Sequence, residues 1–203
     1  MIPSAPLSSA GMPFQAASQW DEAGWLSWAE RIESPNFSQR PANTDISLVV
    51  MHAISLPPEQ FGGDCVERFF TNCLPADEHP YFAEIAGVQV SAHFYLRRTG
   101  KLVQFVSADA RAWHAGASTW QGRSNCNDYS IGIELEGSDN QPFTIEQYHA
   151  LLPLIAALGQ RYPINAIAGH SDIAPGRKTD PGPYFDWDIV QMAYPAMVYA
   201  TQY

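Results

Sequence analysis

The segment GHSDIAPGRKTDPGP, residues 169–183, places several ionisable side chains between prolines and glycines. His170 and Asp180 stand near its two ends, and another candidate ligand, His52, lies in a predicted buried strand. Imidazole nitrogen and carboxylate oxygen both bind Zn²⁺, and three such protein ligands leave a fourth position for water. The residue types therefore suit a catalytic zinc site rather than a structural one.

Residue types alone do not select the ligand set. His93 and His114 are as plausible as His52 by spacing, and the sequence has no HExxH motif. A single histidine at the end of a strand is more often a hydrogen-bonded core residue than a ligand. His79 and His149 fit a loop and a helix surface, so we interpret both as ordinary surface residues.

Two charged residues could supply the remaining chemistry. Glu134 lies on the polar side of an alternating strand, where a partly buried carboxylate can act as general base for a metal-activated water. Lys178 is close enough to Asp180 to bring an ammonium near a developing oxyanion. Taken singly, they would instead be a solvent-facing strand glutamate and an exposed loop lysine.

The 169–183 segment is predicted to be a shaped loop. Proline fixes φ and glycine permits turns that other residues avoid, so the Pro-Gly pairs favour a stiff turn over a helix. Such a loop can bring His170 and Asp180 to one point and hold them there.

Strand and helix patterns alternate along the rest of the chain. β-Branched or alternating runs predict strands over 45–55, 88–98, 101–106, 128–137 and 165–169. Helices are predicted over 20–32, from Asp64 towards Phe70, from Thr144 through Arg161, and after Asp186. We therefore expect one α/β (α+β) domain over residues 19–203, with a central mixed sheet flanked by helices, after a flexible extension over 1–18.

Composition excludes one class of partner. The formal net charge is -10, with 21 acidic and 11 basic residues, whereas nucleic-acid binding requires a basic surface. Apolar residues make up 46% of the chain, which is enough for a substantial core.

The cysteines and the amino-terminal residues bear on location. Cys65, Cys73 and Cys126 have no CxxC spacing and fit reduced thiols. The first residues lack the features of a signal peptide, and no apolar run is long enough to span a membrane. We expect a cytoplasmic monomer without membrane contact.

Several segments, in this order, resemble the AmpD-type zinc amidases of peptidoglycan recycling, which have the amidase_2 or peptidoglycan-recognition fold. The segments are VVMHAISLPP, FGG, HPYF, VSAHFYLRR, RAWHAG, IGIELEG, GHSDIAPGRKTDPGP and FDW. The resemblance covers roughly residues 20–190. It implies Zn²⁺-dependent hydrolysis of the amide between (1,6-anhydro-)N-acetylmuramic acid and L-alanine, with anhydro-muropeptide as substrate. It also implies an influence on β-lactamase induction in some bacteria.

The resemblance also assigns roles by position. It places zinc on His52, His170 and Asp180, the general base at Glu134, and the oxyanion-stabilising ammonium at Lys178. Trp113, in RAWHAG, matches a wall of the substrate cleft.

The sequence departs from the family pattern at Ala53, where a polar asparagine is expected. Gln89 and Asn125 stand where arginines would contact peptide carboxylates. These changes leave the zinc ligands in place and affect stem-peptide recognition. The alternative functions are a non-catalytic peptidoglycan-binding module and a lytic amidase that acts on polymeric peptidoglycan.

Overall fold

The computed structural model describes residues 19–200, so the predicted extension over 1–18 lies outside the described residues. The strands are β1 Glu30–Arg31, β2 Phe37–Ser38, β3 Leu48–Ile54, β4 Phe94–Leu96, β5 Leu102–Gln104, β6 Arg111–Ala112, β7 Thr119–Trp120, β8 Arg123–Ser124, β9 Ser130–Glu136 and β10 Ala166–Gly169. The helices are α1 Cys65–Phe70, α2 Pro80–Glu84, α3 Ile145–Arg161, α4 His170–Ile173 and α5 Trp187–Ala193, with a 3₁₀ turn over Cys126–Asp128.

A 6-stranded mixed sheet in the order β1-β5-β4-β9-β3-β10 forms the centre of the fold. The pairs β4–β9, β9–β3 and β3–β10 are parallel, and β4–β5 is antiparallel. Two small ribbons, β2–β6 and β7–β8, lie outside this sheet. The predicted α/β class with a central mixed sheet is therefore confirmed.

Strand β3 is buried on both faces, as its continuous apolar sequence predicts. Val49 and Met51 pack into the large core cluster that also contains the apolar face of α3. Leu48 and Val50 point to the other face, into a separate cluster. Because side chains alternate along a strand, His52 shares the face of Leu48 and Val50, away from α3.

The predicted hairpin is present but shorter than the sequence pattern suggested. Gly100 has a φ of 80° and donates its N–H to the carbonyl of Arg97, which closes the β4–β5 turn. A side chain at position 100 would also bring a Cβ within 2.8 Å of the Glu146 carbonyl oxygen. Glycine at position 100 therefore allows both the positive φ of the turn and the close packing of α3 against it.

Helix α3 begins where the sequence predicts. Thr144 and Gln147 form a reciprocal capping box at its amino end. Leu151, Ile155 and Leu158 face the core as expected, whereas Ile145 is 55% exposed. A residue in the first turn lies at the edge of the packed face, so the helical spacing overestimated its burial.

The helix predicted over 20–32 is wrong. Trp20 and Leu26 form an antiparallel bridge, and the turn between them includes Gly24 at a φ of 79°. The Leu26 amide donates to the side-chain oxygen of Gln104, and β1 then pairs with β5. The segment therefore pairs with a neighbouring strand, although its tryptophans have the spacing of a helix.

None of the helices within residues 19–200 has both the length and the apolar content needed to cross a bilayer.

Candidate active site

The candidate site lies at the carboxyl ends of three adjacent parallel strands. His52 on β3 is in register with Glu134 on β9, so their side chains leave the sheet on the same face. His170 follows directly after β10, whose last residue, Gly169, pairs with Met51. The sheet topology therefore brings together two strand residues and the first residue of α4, which are far apart in sequence.

The loop after β10 is closed by backbone contacts at both ends. The Ser171 amide donates to the Asp180 carbonyl at 2.9 Å, which ties the residue after His170 to the predicted aspartate ligand. The absence of a side chain at Gly169 lets the Pro181 ring pack closely against the backbone, since a Cβ at position 169 would lie 2.9 Å from that ring. The segment brings the two side chains together as predicted, but its first residues, His170–Ile173, form the short helix α4 rather than a turn.

Three ligand atoms converge at this point. His52 Nδ1 and His170 Nδ1 are 3.0 Å apart, and each lies 3.1 Å from Asp180 Oδ2. His170 Nε2 donates to the Ala115 carbonyl, so a neutral His170 has no proton on Nδ1. A lone pair and a carboxylate oxygen at this distance repel unless a cation or proton lies between them, so the three residues form a possible metal site.

The protonation states of these groups suit metal binding. Burial lowers the pKa of His52 to about 4, although the neighbouring Asp180 carboxylate opposes this shift. Burial opposes ionisation of Asp180, but the adjacent His170 and His52 rings hold its pKa well below the usual range. Near neutral pH the site therefore presents a neutral His52 imidazole and an ionised carboxylate, the forms that bind metals.

Glu134 differs from an ordinary strand glutamate because it is buried and not fully paired. Its Oε2 atom has no hydrogen-bond partner within the described part of the chain. Burial, followed by the charge of Asp180, raises the pKa of Glu134 well above its usual range, and Lys178 opposes this shift. A carboxylate with an unused acceptor and a raised pKa, beside a possible metal site, is suited to proton transfer.

The site opens into a cleft of about 550 Å³. Lys178, which is exposed, and Trp113, which is half-buried, both line the cleft. One part of its wall is apolar and includes Phe69, Tyr81, Ile85, Val88 and Val90. The cleft therefore offers a polar, charged end next to the converging ligands and an apolar wall along which a substrate could lie.

The structure separates the two alternative histidines from the ligand cluster. His93 Nδ1 accepts the Gly132 amide, and its Nε2 lies 3.1 Å from the Ala110 carbonyl, so both ring nitrogens are used inside the core. His114 points its Nδ1 at His52 Nε2, 2.9 Å away, on the side of that ring opposite Asp180. Within residues 19–200, the group of side chains able to hold a metal is His52, His170 and Asp180.

Sequence reasoning missed the groups that surround the ligands. The Ala115 carbonyl accepts from His170, and Asn127 Oδ1 accepts the amides of His114 and Ala115. In the RAWHAG segment, the sequence indicates only Trp113 as a cleft residue and His114 as a possible ligand. Its backbone contacts cross between loops, so residue spacing gives no signal for them.

The three residues that depart from the family pattern, Ala53, Gln89 and Asn125, lie in different parts of the structure. Ala53 lines the cleft. Gln89 is exposed and lines a smaller pocket, which shares Phe69 and Val88 with the cleft. Asn125 is exposed in a left-handed conformation just before the 3₁₀ turn.

Comparison with known proteins identifies the family. Residues 42–183 match the Amidase_2 family, described as N-acetylmuramoyl-L-alanine amidase. The chain is 52% identical over 168 residues to the 1,6-anhydro-N-acetylmuramyl-L-alanine amidase AmpD of Citrobacter freundii, covering 82% of this chain and 90% of the relative.

Solved structures give the same result. A crystal structure of a selenomethionine AmpD derivative superposes with a TM-score of 0.83 at 51% identity, covering 86% of this chain and 98% of that one. The Escherichia coli amidase AmiD, solved with the substrate anhydro-N-acetylmuramic acid-L-Ala-D-γ-Glu-L-Lys, superposes with a TM-score of 0.55 at 31% identity, covering 76% and 60%. The chain therefore belongs to the N-acetylmuramoyl-L-alanine amidase family.

Proposed function

We propose that this amidase uses Zn²⁺ to hydrolyse the amide between the lactyl group of 1,6-anhydro-N-acetylmuramic acid and L-alanine in muropeptides released during cell-wall recycling. The observation that carries the proposal is the convergence of His52, His170 and Asp180 beside the incompletely paired Glu134. The AmpD relative and the AmiD complex, whose names specify this sugar, support the substrate.

His52, His170 and Asp180 would hold the ion. Two imidazole nitrogens and one carboxylate oxygen form a donor set that suits Zn²⁺ and leaves a position for the reacting groups. When bound there, Zn²⁺ supplies Lewis acidity, which polarises the scissile carbonyl and makes water more acidic.

Glu134 would act as the proton carrier. Its free Oε2 would accept a proton from the attacking water and then deliver it to the L-alanine nitrogen as the C–N bond breaks. The products are the lactyl carboxylate and the free amine of the peptide, so one water is consumed for each bond cleaved.

Lys178 would stabilise the oxygen that becomes negative during attack. Its ammonium lies on the same loop as Asp180 and borders the same cleft, and its charge acts on Glu134. A positive charge at this place stabilises the transition state more than the uncharged amide.

Trp113 and the apolar wall of the cleft would bind the substrate. Trp113 Nε1 donates to Ser38 Oγ at 3.3 Å, which fixes the ring, and its faces can pack against a sugar or a methyl-bearing lactyl group. We propose that Ala53, in place of a polar residue, makes this chain rely on other groups to orient the stem peptide.

We propose that residues 19–203 make up the amidase domain and that it acts as a monomer in the cytoplasm. Cys65, Cys73 and Cys126 are all free thiols, which suits a reducing compartment. Cell fractionation and light scattering of the purified chain test these two points.

Mass spectrometry of reaction products tests the substrate. Purified protein, with and without added Zn²⁺, is incubated with anhydro-muropeptide and, separately, with intact sacculi. We expect zinc-dependent release of the free stem peptide from the anhydro-muropeptide and much less release from sacculi. Faster cleavage of sacculi would indicate a lytic amidase, and binding without any product would indicate a non-catalytic recognition module.

A further inference from the structure

A chain of buried hydrogen bonds leads away from His52 on the side opposite the candidate metal position. His52 Nε2 lies 2.9 Å from His114 Nδ1, and His114 Nε2 lies 3.2 Å from Ser130 Oγ. Ser130 Oγ in turn lies 2.6 Å from the Cys126 carbonyl oxygen. All four residues are buried, so water does not compete for these contacts.

The last member of the chain determines the direction of every bond. A carbonyl oxygen only accepts, so Ser130 donates its single hydroxyl proton to Cys126. Ser130 Oγ must then accept from His114 Nε2. A neutral imidazole carries one N–H, so His114 Nδ1 accepts the proton of His52 Nε2. His52 is thereby left with a bare Nδ1, the atom that faces His170 and Asp180.

Neighbouring groups fix the backbone of His114 and leave space for its ring. Asn127 Oδ1 accepts the His114 amide at 3.2 Å and the Ala115 amide at 2.8 Å. Gly132 leaves room for the ring, since a Cβ there would lie 2.4 Å from His114 Cγ. Among the described residues, no carboxylate hydrogen-bonds to this buried ring, which favours its neutral form.

The neighbouring residue has the matching role for the other histidine. The Ala115 carbonyl accepts from His170 Nε2 at 3.1 Å and from Arg177 Nη2 at 2.9 Å. Consecutive residues of one segment thus contact the outer nitrogens of both histidines. For His170 a carbonyl fixes the tautomer directly, whereas for His52 a carbonyl does so through His114 and Ser130.

We infer that His114 is a positioning residue that, through Ser130 and the Cys126 carbonyl, holds His52 in the tautomer with a bare Nδ1 and so strengthens zinc binding. The inference rests on the zinc site proposed above. Outer partners of metal-binding histidines typically contribute 10–100-fold to metal affinity, and we expect an effect of about this size.

Zinc affinity, measured by competition with a chelating dye, tests the inference. His114→Leu introduces a side chain of similar bulk that has no hydrogen-bond acceptor, and it should raise the Kd about 10–100-fold. His114→Asn places Oδ1 near the position of Nδ1 and should recover most of the affinity. Ser130→Ala should raise the Kd about tenfold, by removing the group that orients His114.

Ser34→Ala is the matched control. Ser34 is a buried serine that also donates to a backbone carbonyl, that of Phe70, but it lies outside the chain from His52. Its loss should lower stability by a similar amount while leaving the zinc Kd unchanged. A Kd that rose as much in Ser34→Ala as in Ser130→Ala would assign the effect to general destabilisation and overturn the inference.

A spectroscopic measurement on the wild-type protein is decisive even where a variant fails to fold. The measurement is NMR of zinc-loaded, ¹⁵N-labelled protein. We expect the proton between His52 and His114 to be bonded to His52 Nε2, with a scalar coupling across the hydrogen bond to an unprotonated His114 Nδ1. A proton on His114 Nδ1, or equal affinity in the Leu and Asn variants, overturns the inference. A wild-type protein that binds no zinc would instead overturn the proposed function.

Discussion

Glu134 and Glu136 occupy the same strand and the same face, and both are buried, yet their surroundings differ. Glu136 accepts the Gly62 amide on one oxygen and the Arg98 amide on the other. Glu134 has an oxygen without a partner in the described chain. The same residue type is thus a structural support at one position and, two residues earlier, a group left free for chemistry.

This comparison shows what to look for in a buried polar site. A buried acceptor without a donor destabilises a fold, so its presence beside a possible metal site favours a functional role. His93 and His52 differ in the same way, because the nitrogens of His93 are used inside the core while His52 Nδ1 faces other lone-pair atoms. Glu67 Oε2 in α1 also lacks a partner in the described chain, so unused hydrogen-bonding capacity indicates a reacting group only where it occurs beside the converging ligand atoms.

The largest expected effect separates the two glutamates by activity. Glu134→Gln should lower kcat by about 10²-fold or more, because an amide cannot accept the water's proton, while zinc content stays unchanged. Glu136→Gln should retain kcat close to that of the wild type, since its carboxylate supports neighbouring backbone. Steady-state kinetics with elemental analysis check both, and equal losses in the two variants would contradict the distinction.

A slightly smaller effect is expected at Lys178. Oxyanion donors contribute roughly 3 kcal/mol, so Lys178→Ala should lower kcat about 10²-fold with little change in KM. Lys178→Arg should restore part of the rate, because a planar guanidinium does not replace a compact ammonium. Lys101→Ala, which removes an exposed lysine paired with Glu30, is the control. A rise in KM alone would make Lys178 a substrate-binding group.

The smallest effect concerns stability. The raised pKa means that, as pH rises above the usual range for glutamate, the unfolded chain loses the Glu134 proton before the folded metal-free chain does. Stability of the metal-free protein therefore falls with rising pH over that interval. Glu134→Gln should remove this loss, stabilising the protein at neutral pH but not at pH values below the usual glutamate pKa.

Glu136→Gln should have the opposite sign. Replacing one oxygen by an NH₂ group leaves a backbone amide facing a donor, which should cost roughly 1–3 kcal/mol. Urea unfolding of metal-free wild type and both variants at acidic and neutral pH measures these changes. Destabilisation by both substitutions at neutral pH would show that Glu134 is also a structural residue.

The sequence predicted the parts of the fold whose signals are local. β3 and α3 have continuous patterns and, for α3, a capping box, so they formed as expected. The 20–32 segment has apolar residues at helical spacing. Its backbone hydrogen bonds to Gln104 and to β5 join residues far apart in sequence, so the local pattern could not predict them. Burial of the polar face of β9 likewise depends on loops that cover it.

The candidate site also has parts that the sequence predicted and parts that it did not. His170, Lys178 and Asp180 share a motif, so the resemblance placed them on one loop. The contacts of His52 with His114, and of His170 with the Ala115 carbonyl, join distant segments across the fold. Such contacts depend on the three-dimensional packing of the β6–β7 loop against β3 and β10, and a single sequence does not contain that information.

The central claim is that His52, His170 and Asp180 hold one zinc ion beside Glu134, and zinc content tests it most directly. Elemental analysis of the purified wild type should give about one zinc per chain, the stoichiometry of a single catalytic site. His170→Ala should lose most of it, while His149→Ala, at an exposed helical position, should keep it. Full zinc content in His170→Ala would contradict the claim.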